Sequence, residues 1–363
     1  ECHVRPAGDG RPAGAWALPL VIKTTPPKGI ELVPDGSVTT PQGFAAGAVY
    51  AGIKTFGHGT LDVGIVASDR PCAAAAMFTR STVRAFAVQV SHEHVRNGRA
   101  QAIIVNAGCS NVATGPEGLR DTREMARFVA SKLFIDERDV LVGSTGVIGH
   151  RLPMAKIRAG AESIVLRRDG GPAFARAIMT TDTYPKEIAV RFRDGRRVYT
   201  IGACAKGSGM VHPDMATMFC WITTDAPVER VFLRRALKRS VEDSLNMISV
   251  DNDTSTSDTT AILANGAAGG AAITAGTRGG DAFERALRYV CLAMARLLAR
   301  DGEGAEKIIE VRIEGAADEK QARAAARTVS ASPLVKSAVH GADPNWGRLL
   351  MAVGRSGARI DLG

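Results

Sequence analysis

Aromatic residues are scarce, at 5% of the chain, and the six cysteines (Cys2, Cys72, Cys109, Cys204, Cys220 and Cys291) form no CxxC pair and keep no regular spacing. Such a pattern describes neither a disulfide framework nor a thiolate metal knuckle, and it reads as free thiols in a reducing cytoplasm. The histidines contain no HExxH, and their nearest pair, His92 and His94, lies on a polar segment, so no metal site is expected. No apolar run approaches the roughly eighteen residues that span a bilayer. Ala15 to Ile22 is too short, and too broken by proline, for a signal core. No internal repeat is present.

What the chain does have is 363 residues, 45% hydrophobic and 23% charged, enough to bury one large core and a smaller second one. Its 39 glycines and recurrent Ala-Gly-Thr-Ser runs favour tight turns and close backbone approaches, as in an enzyme rather than a coiled coil. The formal charge is +9, but the basic residues are scattered. Only Arg167-Arg168, Arg196-Arg197 and Arg234-Arg235 are dense, and each sits where a turn or a solvated helix face explains it, which favours a charged small-molecule substrate over nucleic acid.

Residues 1–35, rich in Pro, Gly and Arg, read as an irregular leader, with structure expected from near Val38. Strand patterns occur at Leu61 to Ala67, Ala85 to Ser91, Ala102 to Asn106, Ile188 to Phe192, Arg197 to Cys204, Met218 to Thr223 and Ile308 to Ile313. Helical periodicity marks Gly118 to Leu133, Met154 to Leu166, Val231 to Ile248 and Ala282 to Arg300. Asp194-Gly195 is a hairpin signal, and Gly143-Ser144-Thr145-Gly146 is expected as a glycine-rich turn after a short strand. The reading is a mixed α/β fold with mainly antiparallel hairpins. A main domain would span 36–280, and a smaller C-terminal α/β domain 281–363. The chain begins without Met and ends at Asp361-Leu362-Gly363, a pattern expected of trimmed termini.

The most informative stretch is Ala205-Lys206-Gly207-Ser208-Gly209-Met210-Val211-His212-Pro213-Asp214-Met215-Ala216-Thr217-Met218, small and polar residues ahead of an apolar strand. Taken alone it is ambiguous. Gly207-Ser208-Gly209 resembles a phosphate nest but makes no Walker A loop, and a Thr at a strand start is ordinarily a hydroxyl satisfied within the sheet. Asp251-Asn252-Asp253-Thr254-Ser255 starts like a calcium loop but lacks the Gly and closing Glu, and reads as structural or as support behind a site.

Ala205 to Met218 resembles the self-cleavage site of the ornithine acetyltransferase family, also called glutamate N-acetyltransferases. The likeness extends through Thr40-Pro41-Gln42-Gly43-Phe44, Ala51-Gly52-Ile53-Lys54, Phe78-Thr79-Arg80, Ser144-Thr145-Gly146-Val147-Ile148-Gly149, Met179-Thr180-Thr181-Asp182-Thr183, Asp251-Asn252-Asp253-Thr254-Ser255-Thr256 and Asp343-Pro344-Asn345-Trp346-Gly347-Arg348, in family order. The chain departs at Gly108-Cys109-Ser110-Asn111, where relatives carry an Asn-Ala-Asn run, and at Asn252, where Gly is common. The resemblance also implies a further C-terminal segment that adds an Asn and a Thr to the substrate site.

The fold implied is a layered sandwich of the N-terminal-nucleophile kind. The implied chemistry starts with attack of Thr217 Oγ on the carbonyl of Ala216, leaving chains 1–216 and 217 onward, two copies of each in the assembly. In the mature enzyme the Thr217 α-amino group, with an ordinary pKa of about 8, takes the hydroxyl proton. Thr145 and Gly146 match the oxyanion hole. Thr180, Lys206, Thr217 and Glu303 match the substrate residues, Lys206 suited to a carboxylate and Glu303 to an ammonium. From residues alone the preferred reading is a strand-to-helix turn in which Ser144 or Thr145 caps the helix, with Lys206 a solvated turn residue and Glu303 part of a helix stop. Thr181 and Thr183 compete with Thr180.

The activity implied is transfer of acetyl from N-acetylornithine to glutamate through an ester on Thr217, without a metal or bound cofactor, with acetyl-CoA as an alternative donor. Two rival readings use the same residues. One is an N-terminal-nucleophile amidohydrolase or aminopeptidase passing the acyl group to water; the other is an uncleaved homologue that only binds.

Overall fold

Side chains alternate across a strand, so neighbouring residues of an apolar strand buried on both sides must enter different cores, and this alternation defines the layers here. The computed structural model describes residues 2–6, 25–54, 59–212 and 218–361. Its strands are β1 Cys2–Pro6, β2 Ile30–Val33, β3 Phe44–Val49, β4 Val63–Phe78, β5 Arg99–Cys109, β6 Val140–Val147, β7 Lys186–Asp194, β8 Arg197–Lys206, β9 Phe219–Thr224, β10 Thr259–Ala264 and β11 Lys307–Val311. Its α-helices are α1 Phe86–His94, α2 Gly115–Leu133, α3 Met154–Ser163, α4 Gly171–Ala177, α5 Arg230–Glu242, α6 Arg278–Arg300, α7 Glu319–Ala331, α8 Pro333–His340 and α9 Trp346–Gly354.

The main sheet runs β2-β7-β8-β9-β10-β4-β5-β6, with β3 also on β4. β4 is the pivot. Val63 to Ala67 pairs with β3 and β5, Ala73 to Phe78 pairs with β10, and the register slips between Ala67 and Cys72. A slip of this kind bends a strand. On one side of the slip the outward residues Ile65 and Ala67 join one core, on the other Ala75 joins a second, while Val66 and Ala74 share a third between them. The sheet is therefore folded into two stacked layers.

The middle core takes Ile103 and Val105 of β5, Leu141 of β6, and Phe219 and Trp221 of β9. The intervening Ile104 and Val142 face helices α2 and α3, whereas Cys220 and Ile222 face α5 and α6. The result is a four-layer arrangement of helices, sheet, sheet and helices, the layered α/β sandwich expected. Trp221 is wholly buried, and a Cβ on Gly143 of β6 would stand 2.9 Å from its ring, so the layers meet without a gap. Each such aromatic contributes about 2–3 kcal/mol by burial. The outer helices are capped at their starts: Thr277 Oγ1 accepts the Gly280 N–H at 3.0 Å ahead of α6, and the Glu229 carboxylate accepts from Val231 and Phe232 ahead of α5.

The Asp194-Gly195 turn joins β7 and β8 as an antiparallel hairpin, with Gly195 at φ +58°. Three local expectations change. Ala85 to Ser91 is not a strand: Phe86–His94 is helix α1, its β-branched face held on β6 by Ser91 Oγ–H to the Val142 carbonyl and His94 Nδ1 to the Val140 carbonyl, both at 2.8 Å. Gly143 to Gly146 is not a turn but the second half of β6, paired in parallel with β5. Ordered pairing also precedes Val38, because Ile30–Val33 is an edge strand on β7.

α6 lays its apolar face, including Phe283, Leu287, Val290 and Leu298, into the core that it shares with α5. Beyond it a small cluster of Val329, Val335, Val339 and Ala352 packs with Ile309 and Val311 of β11, which pairs with β1. Arg323 of α7 ties this unit to the end of α5 through Asp243 and the Glu242 carbonyl. Cys72, Cys109, Cys204, Cys220 and Cys291 are free.

Glu187 stands opposite Cys204 in the β7–β8 ladder, on the face of β8 that joins the middle core, and its Oε1 bonds to none of the described residues. Burial, partly offset by Arg176, raises its pKa from 4.5 to about 7. The native carboxyl therefore keeps a proton that the unfolded chain releases. Stability falls as pH rises from 4.5 to about 7 and levels off above. Glu187→Gln is expected to match the wild type near pH 4 and to exceed it by about 1–3 kcal/mol at pH 8, measured by urea denaturation.

Candidate active site

The same alternation that builds the layers delivers two polar side chains to one place. On β6, Leu141 and Gly143 face the middle core, so Thr145 does as well and Ser144 turns toward the helices. On β8, Cys204 faces the middle core, so Lys206 does too, at the strand's last position and opposite Phe219. The two layers thus bring Lys206 Nζ to 3.0 Å from Thr145 Oγ1, although β6 and β8 lie far apart in strand order. Both residues are buried. The ammonium can only donate, so Thr145 Oγ1 accepts, and its own proton remains available for another acceptor. Next to it Gly146 has φ +122°, and a Cβ there would fall 2.3 Å from the Gly108 carbonyl carbon, a position that only glycine can occupy.

Lys206 is a cation with little water. Burial lowers its pKa, Asp182, Asp258 and Glu303 oppose that shift, and Lys186 adds to it. Asp182 is the best organised of these groups. Its Oδ1 accepts from Lys186 Nζ at 2.6 Å and from the Gly207 N–H at 2.7 Å, and its Oδ2 accepts from the Thr180 N–H at 3.0 Å. Its own burial would raise its pKa, but Lys186, Lys206 and the Gly207 N–H prevail and hold it at about 2. Lys186 Nζ also reaches Asp301 Oδ2 at 2.6 Å, and Asp301 accepts from the backbone N–H and hydroxyl of Thr183. Lys54 is a further buried cation, donating to the Leu61 carbonyl at 2.7 Å; burial lowers its pKa to about 8 despite Asp62 and Asp182.

The threonines at 180–183 divide by their hydroxyls. Thr181 is bonded to Ser208 Oγ at 2.7 Å and Thr183 to Asp301, whereas the Thr180 hydroxyl bonds to none of the described residues. Glu303 is joined to the same region: its N–H donates to the Ser208 carbonyl at 2.8 Å, and its exposed carboxylate lies over Gly209, where a Cβ would approach within 2.5 Å. The expected cleavage pair, Ala216 and Thr217, lies outside the described residues. On the near side Val211 forms a bridge with Thr254, and on the far side the Met218 carbonyl accepts the Thr259 N–H at 3.0 Å.

Thr145, Gly146, Lys206, Thr180 and Glu303 are therefore connected, directly or through one shared neighbour, in a single polar region. Asp251 is occupied in backbone support, accepting from the Val211 and Asp253 N–H groups, as its structural reading implied. Among the described residues, no three His, Cys, Asp or Glu side chains form a metal cluster. Reading residue types singled out neither Lys186 nor Asp301. Their only sequence signal is the Asp182-x-x-x-Lys186 spacing, unremarkable until the fold brings Asp301 to it.

Residues 45–363 match the model of the ArgJ family. The chain is 51% identical over 334 residues to the arginine biosynthesis bifunctional protein ArgJ of Dehalococcoides mccartyi, covering 92% of this chain and 82% of that protein. It is 49% identical over 330 residues to the protein of that name from Symbiobacterium thermophilum, covering 90% and 82%. Among solved structures, the arginine biosynthesis bifunctional protein argJ from Bacillus halodurans is 37% identical with a TM-score of 0.50, over 52% of this chain and 98% of that one.

Proposed function

The chain belongs to the ArgJ family, and on that premise we propose that it is a glutamate N-acetyltransferase of arginine biosynthesis, acting through Thr217 after cleavage at Ala216-Thr217. The observation that carries this reading is the Lys206–Thr145 contact, which assembles a hydroxyl donor and a cation beside the glycine-rich stretch leading to Thr217.

Thr217 Oγ attacks the Ala216 carbonyl carbon and the peptide C–N bond breaks, giving an ester and a free Thr217 amine; water then splits the ester, leaving the Ala216 carboxylate and the Thr217 hydroxyl. In the transfer reaction the amine takes the hydroxyl proton as Oγ attacks the acetyl carbonyl of N-acetylornithine. Thr145 O–H and Gly146 N–H meet the developing oxyanion, and ornithine leaves with the proton. The glutamate amine then attacks the acetyl ester and restores Thr217. Lys206 meets a substrate carboxylate, Glu303 an ammonium, and Thr180 offers its hydroxyl. No metal or bound cofactor enters these steps, and acetyl-CoA is a second acetyl donor to the same threonine. The assembly holds two copies of each cleaved chain.

Purified protein given N-acetylornithine and glutamate is expected to yield ornithine and N-acetylglutamate in equal amounts by mass spectrometry. Free acetate without N-acetylglutamate would instead identify a hydrolase.

A further inference from the structure

We propose that the buried Asp182–Lys186–Asp301 cluster is the positioning device of this site, holding Lys206 charged and aimed at Thr145 while locking together the segments around it. The proposal rests on the acetyl-transfer reading of the site. Its first support is connectivity. Lys186, wholly buried on β7, binds one carboxylate from the segment before β7 and one from the residue that ends α6. Through Asp182 the cluster fixes the backbone of Thr180 and Gly207; through Asp301 it fixes Thr183 and the stretch leading to Glu303. Three candidate substrate residues, Thr180, Lys206 and Glu303, thus hang from one ammonium group.

The second support is charge. One lysine between two carboxylates leaves a net negative charge in a dry region, and Lys206 is the neighbouring cation that it serves. The groups acting on Lys206 are Asp182 from the 180–183 segment, Asp258 ahead of β10, Glu303 beyond α6, Lys186 on β7 and Lys54 after β3. Burial lowers the pKa of Lys206, and a neutral amine would hold a substrate carboxylate more weakly and could take the Thr145 proton rather than leave it for an oxyanion. A brace with a purely mechanical role would be met equally well by neutral hydrogen-bonding groups. A charge-setting role predicts effects of opposite sign from its two ends.

The test compares Asp182→Asn, which removes the negative charge beside Lys206, with Lys186→Met, which removes the positive one. The basic limb of kcat/KM for N-acetylornithine is expected to move down by about one pH unit in the first and up by about one in the second. Reductive methylation of Lys206 across the same pH range, read by peptide mass spectrometry, should move in the same two directions without requiring turnover. Lys186→Arg should leave both profiles in place. If Lys186→Met is not recovered folded, Asp182→Asn against Lys186→Arg decides, the first shifted and the second not. Profiles that stay put, or that move the same way in both variants, overturn the proposal. Opposite shifts in methylation in a protein that transfers no acetyl group would uphold it while overturning the acetyltransferase reading.

Discussion

Replacing Thr217 by Ala is expected to leave the purified protein as one uncut chain and to lower acetyl transfer by about 10,000-fold or more. The two losses would share a cause, because in the proposed mechanism one hydroxyl is the nucleophile both in cleavage and in transfer. Intact mass spectrometry of the wild type should give two chains meeting at Ala216 and Thr217, and a single mass for the variant. Thr217→Ser keeps the hydroxyl, so it should still be cut and still turn over, at reduced rates. An uncut wild-type chain would sink the mature-nucleophile mechanism and bring forward a binding-only role. A cut Thr217→Ala chain would place the nucleophile elsewhere.

Thr145→Ala should act on a different quantity. Removing one donor from an oxyanion hole lowers kcat by about 100- to 1,000-fold, roughly 3–4 kcal/mol, because the lost bond is strongest in the transition state. KM for N-acetylornithine should change by less than about threefold. Lys206→Met should instead raise KM as well, since it removes both the partner of Thr145 and the cation proposed for the substrate carboxylate. Steady-state kinetics of the two variants separate these roles. A Thr145→Ala enzyme with normal kcat and raised KM would make Thr145 a ground-state contact rather than an oxyanion donor.

Much of this architecture is written in local pattern. The β7–β8 hairpin follows from Asp194-Gly195 between alternating strands, and α2 and α6 follow from their apolar periodicity. Short elements failed where composition and context disagree. Ala85 to Ser91 contains two valines at alternating positions, and only docking on β6 makes it helical. Gly143 to Gly146 carries the residues of a turn, yet the parallel partnership with β5 and the close face of Trp221 hold it extended and demand its small side chains. The site divides in the same way. Thr145, Gly146, Thr180, Lys206 and Glu303 were named through family likeness, whereas the Lys206–Thr145 contact depends on two layers closing over each other. The partnership of Lys186 with Asp301 bridges 115 positions of sequence, a separation that no periodicity reports.

Strand order also governs what a cut in the backbone can do. β9 and β10, which follow position 217, pair with each other in parallel and are flanked by β8 and β4, both of which precede it. Each flank is an antiparallel ladder of six residue pairs. The piece that a break at 216–217 would create is thus interlocked with its sibling, like a wedge driven into the centre of the sheet rather than a blade leaning on its rim. Pulling it free would unzip both ladders and open the middle core around Phe219 and Trp221. A break at this junction would therefore leave the protein one object.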